Sequence, residues 1–483
     1  MLPVAGLGAA RSDAAQRPGK KAPRNIIFMV SDGMSPGVLP MAEIFSNVVR
    51  GKGTAWAALL REAATVTGLF DQASLNSCVT DSAAASSAWG SGVRICNGAV
   101  NMLPDGRPLT PIATIARERG KRVGLVTTAS MTHATPAGFA AVHQKRSAEA
   151  EIAPQYMENV DVLMGGGIEF FSGELRPDKR DLIGEYRAAG YEFAADRAGL
   201  RKADRARKLL GLFSRGQVPY SVDRRRRNDE RTPSLAECTR AALALLDNKS
   251  GFLLQVEGGR VDHAAHSSDA AAMLGEQIDF DDAVAVAVEF ARQRGDTLVV
   301  LCSDHGNSNP GMNGIAKGFQ GDAENFGRLS KVTCSFEDLG PMLGKALADK
   351  QTGGSAERVK AVIEEHYRIS VTDKEAAAIA GAAAGEKGLT LNKQFDAFPG
   401  VLGQILCNYF GVGWIGKGHT TDYTISTAIG PGAGEFAGLV RNDHVFEILT
   451  GFMGSEFRNP RVSEEEARQL LSWRQPAEEI HWV

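Results

Sequence analysis

The sequence predicts an α/β fold, a mostly parallel central sheet with helices on both faces, on three observations. Short runs of continuously apolar residues recur along the chain, as strands buried on both faces require. Helical patterns stand between those runs, and strand alternating with helix is the pattern of a parallel sheet. Three of the runs each deliver a carboxylate at the C-terminal end, next to or near a glycine, at the edge where open parallel sheets bind ligands.

At ~150 residues per domain, the 483 residues allow about three domains or one large domain carrying insertions. Lys and Arg number 54 against 57 Asp and Glu, a net charge of −3. That balance argues against a nucleic-acid-binding surface and a polybasic membrane anchor. With 43% hydrophobic and 23% charged residues the chain can bury a sizeable core. The 54 glycines show no collagen-like period, and no other fixed-period repeat is present. The six cysteines lack C-x-x-C spacing and permit bridges without requiring them; Cys302 reads as a buried thiol. No run of 18 apolar residues exists, so no transmembrane segment is expected.

Residues 1–24 begin with the small, apolar Met1–Ala10 and continue polar and basic. They read either as a leader remnant, which implies a periplasmic or secreted protein, or as a disordered extension. Asn25–Val30 is the first strand and leads into Ser31-Asp32-Gly33. Thr80-Asp81-Ser82 precedes the small, helix-forming run Ala83–Ala88, which places Ser82 at a helix N-terminus with its positive field and free N–H groups. That position suits a nucleophile that carries a phosphoryl group and equally suits an ordinary N-cap serine. No Gly-x-Ser-x-Gly elbow is present, so a metal would have to activate this serine.

A helical pattern over Pro111–Arg119 precedes the strand Val123–Thr128, and Thr132-His133-Ala134-Thr135-Pro136 follows on the same sheet edge. Arg146 could grip two phosphate oxygens with its planar fork, and spacing does not separate it from Lys145. Val160–Met164 is the next strand, and the basic run Arg224–Arg227, flanked by Asp223, Asp229 and Glu230, reads as a solvated loop. Ser234–Leu246 is helical, and the strand Phe252–Val256 delivers Glu257-Gly258-Gly259. Asp262 and His266 stand four apart, on one helix face, where carboxylate and imidazole suit zinc better than calcium.

Phe280–Arg294 is helical and the strand Thr297–Cys302 delivers Ser303-Asp304-His305-Gly306, where the glycine permits an irregular turn. Taken singly, each acid is an ordinary loop start. Converging at one edge, three carboxylates repel one another unless a cation sits between them. Pro310–Lys417 is mixed, partly helical sequence, including the Ala-rich Lys374–Lys387, and reads as an inserted subdomain. His419 lies in Gly416–Asp422 with no apolar face to pack on. Ser463 and Glu464–Glu466 open a capped C-terminal helix. The division is 1–24, a catalytic core of 25–310 and 411–455, an insertion of 311–410, and a C-terminal helix and tail of 456–483.

The motifs FMVSDGM, CVTDSAAASSAWGSG, THATPA with the later Arg146, FLLQVEGGRVDHAAH, TLVVLCSDHG and GKGHTTD resemble those of alkaline phosphatases, in order and spacing. The intervening MGGGIEFF, LLGLFSRGQVPY and PSLAECTRAAL fit as well, so the resemblance covers about residues 25–310 and 411–452. It implies hydrolysis of small-molecule phosphomonoesters through a phosphoserine at Ser82, with Arg146 on the phosphate and Asp81 orienting it. It implies two zinc ions, one on Asp262, His266 and His419, the other on Asp32, Asp304, His305 and Ser82. Asp32 would bridge to a third site, usually magnesium, completed by Thr135 and Glu257. His133 and His263 occupy positions that vary within the family and tune that site's metal and the affinity for phosphate. The insertion compares with the crown that covers the site, or meets a second subunit, in some members; a homodimer is compatible with that. The alternatives are a phosphodiesterase or sulfatase of the same superfamily, or an inactive metal-binding protein that kept the fold.

Overall fold

The computed structural model describes residues 22–314, 321–349, 354–386, 392–463, 465–467 and 469. Among the described residues ten strands form one sheet: β1 (Asn25–Ser31), β2 (Val66–Asp71), β3 (Arg122–Ser130), β4 (Val162–Gly166), β5 (Glu192–Ala194), β6 (Leu209–Leu212), β7 (Phe252–Gly258), β8 (Thr297–Cys302), β9 (Thr424–Ile429) and β10 (Gly438–Arg441). Their order is β10-β2-β9-β8-β1-β7-β3-β4-β6-β5. Only β9 runs antiparallel to its neighbours, so the sheet is mostly parallel as the alternation of strand and helix predicts.

The apolar runs are continuous because both faces are covered. Ile26, Phe28 and Val30 of β1 enter one hydrophobic core while Ile27 and Met29 enter the other, the period-two alternation of a strand. Register then levels the strand ends. Val30 pairs with Glu257 on one side and with Cys302 on the other, so Asp32 and Asp304, each two residues further on, leave the sheet side by side next to Glu257. On the far side of β7, Thr127 of β3 is opposite Glu257.

Four helices set the site. They are α1 (Ser82–Ser91), α2 (Ala134–Ala140), α3 (Arg260–His266) and α4 (Ala270–Arg294). Every residue of α1 is buried, and its small side chains have a packing reason beyond helix propensity. A Cβ on Gly90 would lie 1.9 Å from the Gly138 carbonyl oxygen of α2, and one on Gly138 would lie 2.4 Å from Ser86 Oγ. Close approach of the two helices excludes larger residues at this crossing.

The Arg224–Arg227 run is not a solvated loop. It ends a helix over Ser221–Arg226. Arg224 meets Asp279 of α4 at 2.7 Å, with both side chains almost covered, while Arg226 and Arg227 both pair with Asp338. Partners distant in sequence, rather than the flanking acids, set its environment.

Between the two-residue strands Gly311–Met312 and Val412–Gly413, which pair antiparallel, lie the helices Asp322–Leu329, α5 (Phe336–Ala348), Ser355–Tyr367, Asp373–Ala383 and Phe398–Phe410. The start and end of this segment are therefore adjacent. Its apolar interior, including Phe326, Leu339, Tyr367 and Phe410, is continuous with the core on one face of the sheet. The Ala-rich stretch forms Asp373–Ala383 behind a capping box of Thr372 and Glu375.

Cys302 is fully buried. Ser463 and Glu466 exchange the two hydrogen bonds of a capping box, but most of the tail after them, like residues 1–21 of the leader or extension, lies outside the described residues. Among the described residues no helix is long and apolar enough to cross a membrane.

Candidate active site

Ser82 is the first residue of α1, and Asp81 is its N-cap, which removes the reading of Ser82 as the cap itself. Asp81 Oδ1 accepts from Ala84 N at 2.8 Å, and its Oδ2 accepts from Gly98 N at 2.9 Å and from Arg146 Nη1 at 3.2 Å. One carboxylate therefore ends the helix and aims the guanidinium. Lys145 is exposed, so the geometry selects Arg146 where spacing did not.

Among the described residues, three groups of side chains each offer ligand atoms within 4.8 Å of one another: Asp262, His266 and His419; Asp32, Asp304 and His305; Asp32, His133 and Glu257. Asp32 belongs to two of them. In the first, α3 brings Asp262 and His266 onto one face, with His266 Nε2 3.3 Å from Asp262 Oδ2. Gly33, with φ +67°, lets the chain after β1 pass this carboxylate, since a Cβ there would lie 2.3 Å from Asp262 Oδ1. His266 Nδ1 donates to Lys417 O at 2.6 Å and His419 Nδ1 donates to Thr80 O at 2.8 Å. Backbone carbonyls only accept, so in the neutral rings both Nε2 atoms carry lone pairs, and these face each other at 3.1 Å. This is the outer-shell arrangement that presents imidazoles to a metal, and the two lone pairs are close enough to bind one cation together.

In the second group, His305 Nε2 lies 3.1 Å from Asp304 Oδ2, 3.5 Å from Asp32 Oδ1 and 3.1 Å from Ser82 Oγ. Gly306, after this pair, does not adopt a left-handed conformation. Its smallness serves close approach: a Cβ would lie 2.4 Å from Thr420 Oγ1. His419, expected in a loosened loop, instead pairs as a short antiparallel strand with Asn307, which stacks its ring on His305 at 3.5 Å between centroids.

Thr135, in the first turn of α2, is buried beside this edge. Buried oxygens without a hydrogen-bonding partner gather here: both Asp32 carboxylate oxygens, Asp304 Oδ2, Glu257 Oε1 and Thr135 Oγ1. Buried polar atoms are normally paired, so this concentration is what a cation site looks like when read from its ligands alone.

The electrostatics agree. Burial, with the carboxylates of Asp304, Asp262 and Glu257 adding to it, pushes Asp32 well above the aspartate range. Burial, reinforced by Asp304, pushes Glu257 up to about 7. Burial would raise Asp262 as well, but the imidazoles of His266, His419 and His305 carry it well below its ordinary value. Burial together with Arg146 holds His133 down to about 3, and burial together with His305 holds His419 down to about 3. His305 goes the other way: burial would lower it, but the carboxylates of Asp304 and Asp262 raise it. Imidazoles beside crowded carboxylates form a ligand set of the kind zinc prefers.

Some supporting residues were not read from the sequence. Asn307 Nδ2 donates to Asp262 Oδ1 at 2.6 Å and orients that carboxylate; its place two residues after His305 was the available signal. Thr127 donates to Glu257. Its signal was a hydroxyl at the end of the strand. The carbonyls of Thr80 and Lys417 could not be identified from residue type.

Clusters of this kind at the carboxyl edge of a mostly parallel sheet place the protein among the α/β enzymes that work at that edge. The sequence matches the alkaline phosphatase family from residue 23 to residue 454. It is 30% identical to alkaline phosphatase 4 of Bacillus subtilis over 453 residues, covering 90% of this chain and 91% of that one. It is 35% identical to streptomycin-6-phosphate phosphatase of Streptomyces griseus over 346 residues, covering 62% and 77% of the two chains. The crystal structure of Thermus thermophilus alkaline phosphatase superposes with a TM-score of 0.88 at 33% identity, over 97% of this chain and 100% of that one. The chain belongs to the alkaline phosphatase family, and it is an enzyme of phosphomonoester hydrolysis. The match runs through residues 311–410 as well, where no motif had been recognised.

Proposed function

We propose that Ser82 is the nucleophile of this phosphatase. Its Oγ attacks the phosphorus of a small-molecule monoester, a phosphoserine forms as the ester P–O bond breaks and the alcohol departs, and water then cleaves the phosphoserine to release inorganic phosphate. The observation that carries this reading is the position of Ser82 Oγ, 3.1 Å from His305 Nε2 within the Asp32–Asp304–His305 group. Arg146, aimed by Asp81, holds the non-bridging oxygens of the phosphoryl group.

Asp262, His266 and His419 would hold one zinc, and Asp32, Asp304 and His305, with Ser82, a second. Asp32, Glu257 and Thr135 would hold a third ion, magnesium, with His133 beside Asp32 and Glu257 as a neighbour of that ion. When bound, such ions supply Lewis acidity and positive charge for the attacking and leaving oxygens of an in-line displacement. The chain's own part is to hold the His419 imidazole neutral, to fix the His419 and His266 rings through Thr80 O and Lys417 O, and to present Ser82 at the positive end of α1.

Ser82→Ala tests the reading. Phosphomonoester kcat/KM is expected to fall by at least ~10³-fold, with zinc content retained. Full turnover in the variant would remove Ser82 from the role. Comparing a phosphomonoester, a phosphodiester and a sulfate ester in the wild type separates a monoesterase from its superfamily alternatives, and Ser82-dependent turnover separates an enzyme from an inactive metal-binding protein. We also propose a periplasmic or secreted location, supported by the small apolar stretch Met1–Ala10, residues 311–410 as an inserted unit, and assembly as a homodimer.

A further inference from the structure

We infer that Arg260 is a positioning residue for the phosphate grip. Held by Glu337 of α5, it fixes the ring of His263, which packs on His133, the partner of Arg146. The inference rests on Arg146 binding phosphate, as proposed above.

Arg260 opens α3 and is 4% exposed. Its guanidinium lies over the Tyr220 ring at 3.7 Å, its Nη1 is 2.9 Å from His263 Nδ1, and its Nη2 is 2.5 Å from Glu337 Oε2. A guanidinium only donates, so His263 Nδ1 accepts and the neutral ring keeps its proton on Nε2. The same reasoning holds at the other end. Arg146 Nη2 lies 3.3 Å from His133 Nε2, which must accept, leaving the His133 proton on Nδ1. The two imidazoles meet edge to face, with centroids 5.3 Å apart and planes at 86°.

Two guanidiniums thus bracket two neutral rings and set the tautomer of each. Neither donor can be titrated away. Glu337 belongs to the helical segment after β8, and this chain of contacts connects that segment to Arg146. Lysine cannot replace Arg260, because one ammonium cannot reach His263 and Glu337 together while stacking on Tyr220. Without Glu337 the guanidinium is free to turn, His263 loses its fixed donor, and the His133 contact that steadies Arg146 loosens.

The test uses the full-length, metal-loaded enzyme with Glu337→Ala, Glu337→Gln and Arg260→Lys. The Glu337 side chain is 61% exposed, so its variants retain the fold. For Glu337→Ala and Arg260→Lys, KM and the inhibition constant of inorganic phosphate are expected to rise together by between about two- and thirtyfold, with kcat changing less than KM. Glu337→Gln, which keeps an acceptor oxygen, recovers most of the loss. In ¹⁵N-histidine spectra His263 is expected as the single Nε2–H tautomer in the wild type and as a mixture in Glu337→Ala and Arg260→Lys.

A lower melting temperature with unchanged phosphate inhibition, or an unchanged His263 tautomer, would mean that Arg260 only anchors α5 and would overturn the inference. Arg146→Ala separates the two readings. If it fails to weaken phosphate binding, the underlying assignment of Arg146 falls. If it weakens binding while Glu337→Ala does not, only the role of Arg260 falls.

Discussion

Two of the regions in which this molecule buries carboxylates treat them in opposite ways. At the carboxyl edge of the sheet, Asp32, Asp304 and Glu257 keep oxygens without donors. At the socket that receives the N-terminus of α5, every buried acid oxygen has one. Asp223 accepts from Ser335 N at 2.9 Å and from Ser335 Oγ at 2.6 Å; Asp269 accepts from Ala272 N at 3.0 Å and from Phe336 N at 2.7 Å. Burial raises Asp269 to about 7, the same value that Glu257 reaches. Depth and a displaced pKa therefore do not separate a reactive acid from a structural one. What separates them is whether the protein itself supplies the donors.

The largest expected effect follows from the edge acids lacking donors. Saturating metal should stabilise the protein by about 4 kcal/mol when present at a thousand times its dissociation constant, and chelation should abolish that gain together with turnover. Equal melting temperatures for metal-free and metal-loaded protein would break the comparison. Asp269→Asn, at the socket, should leave metal content unchanged.

That same substitution is expected to cost about 2 kcal/mol, because one of the two backbone donors then faces an amide N–H. Its pH signature has a definite sign. The folded chain holds the Asp269 proton up to about 7, whereas an ordinary aspartate releases it near 3.8. Between those values the native state binds more protons than the unfolded chain, so stability falls as pH rises. Asp223, raised by burial to about 6, adds to the lower part of that window. Denaturant unfolding of wild type and Asp269→Asn from pH 4 to 8 should show a steeper fall for the wild type. Parallel curves would exclude Asp269 as the source.

A smaller effect, of opposite sign, belongs to the edge. In metal-free protein at pH 8, Asp32→Asn should stabilise by about 1–2 kcal/mol, since it removes a carboxyl that burial and the neighbouring acids keep from ionising. The same change should abolish metal-dependent stabilisation. A loss of stability in the metal-free variant would show that Asp32 has a structural partner after all.

Much of this contrast was legible in the sequence, for a physical reason. Strands buried on both faces are written as unbroken apolar runs, and β1, β3, β4, β7 and β8 all carry them. The acids at their ends come together because Val30 is in register with both Glu257 and Cys302. The weaker strands were harder to see. β2 alternates between buried and exposed positions, and β5 has only three residues. The socket was invisible because Asp223 and Asp269 resemble ordinary helix-start acids until Ser335 and Phe336, distant in sequence, are placed against them. Arg260 carried no signal either: His263 is three residues on in the same helix, but Glu337 and Tyr220, which hold the guanidinium, come from two other segments.

The smallest effects test whether the socket's ion pairs follow the same rule as its carboxylates. Arg224 and Arg227 both pair with aspartates, but the Arg224 side chain is 10% exposed against 46% for Arg227. An exposed pair is screened and contributes about 0–1 kcal/mol, so Arg227→Ala should shift stability by less than that. Asp338 would keep Arg226 as its partner. Arg224→Ala instead leaves Asp279 almost covered and without its charge partner, and a carboxylate stranded in this way costs about 3 kcal/mol or more where burial is complete. Its incomplete burial should bring the loss below that figure but above the loss for Arg227. Urea unfolding of the two variants provides the measurement. Equal losses would mean that α4 and the Ser221–Arg226 helix are held together by apolar contacts alone, with the arginines as bystanders.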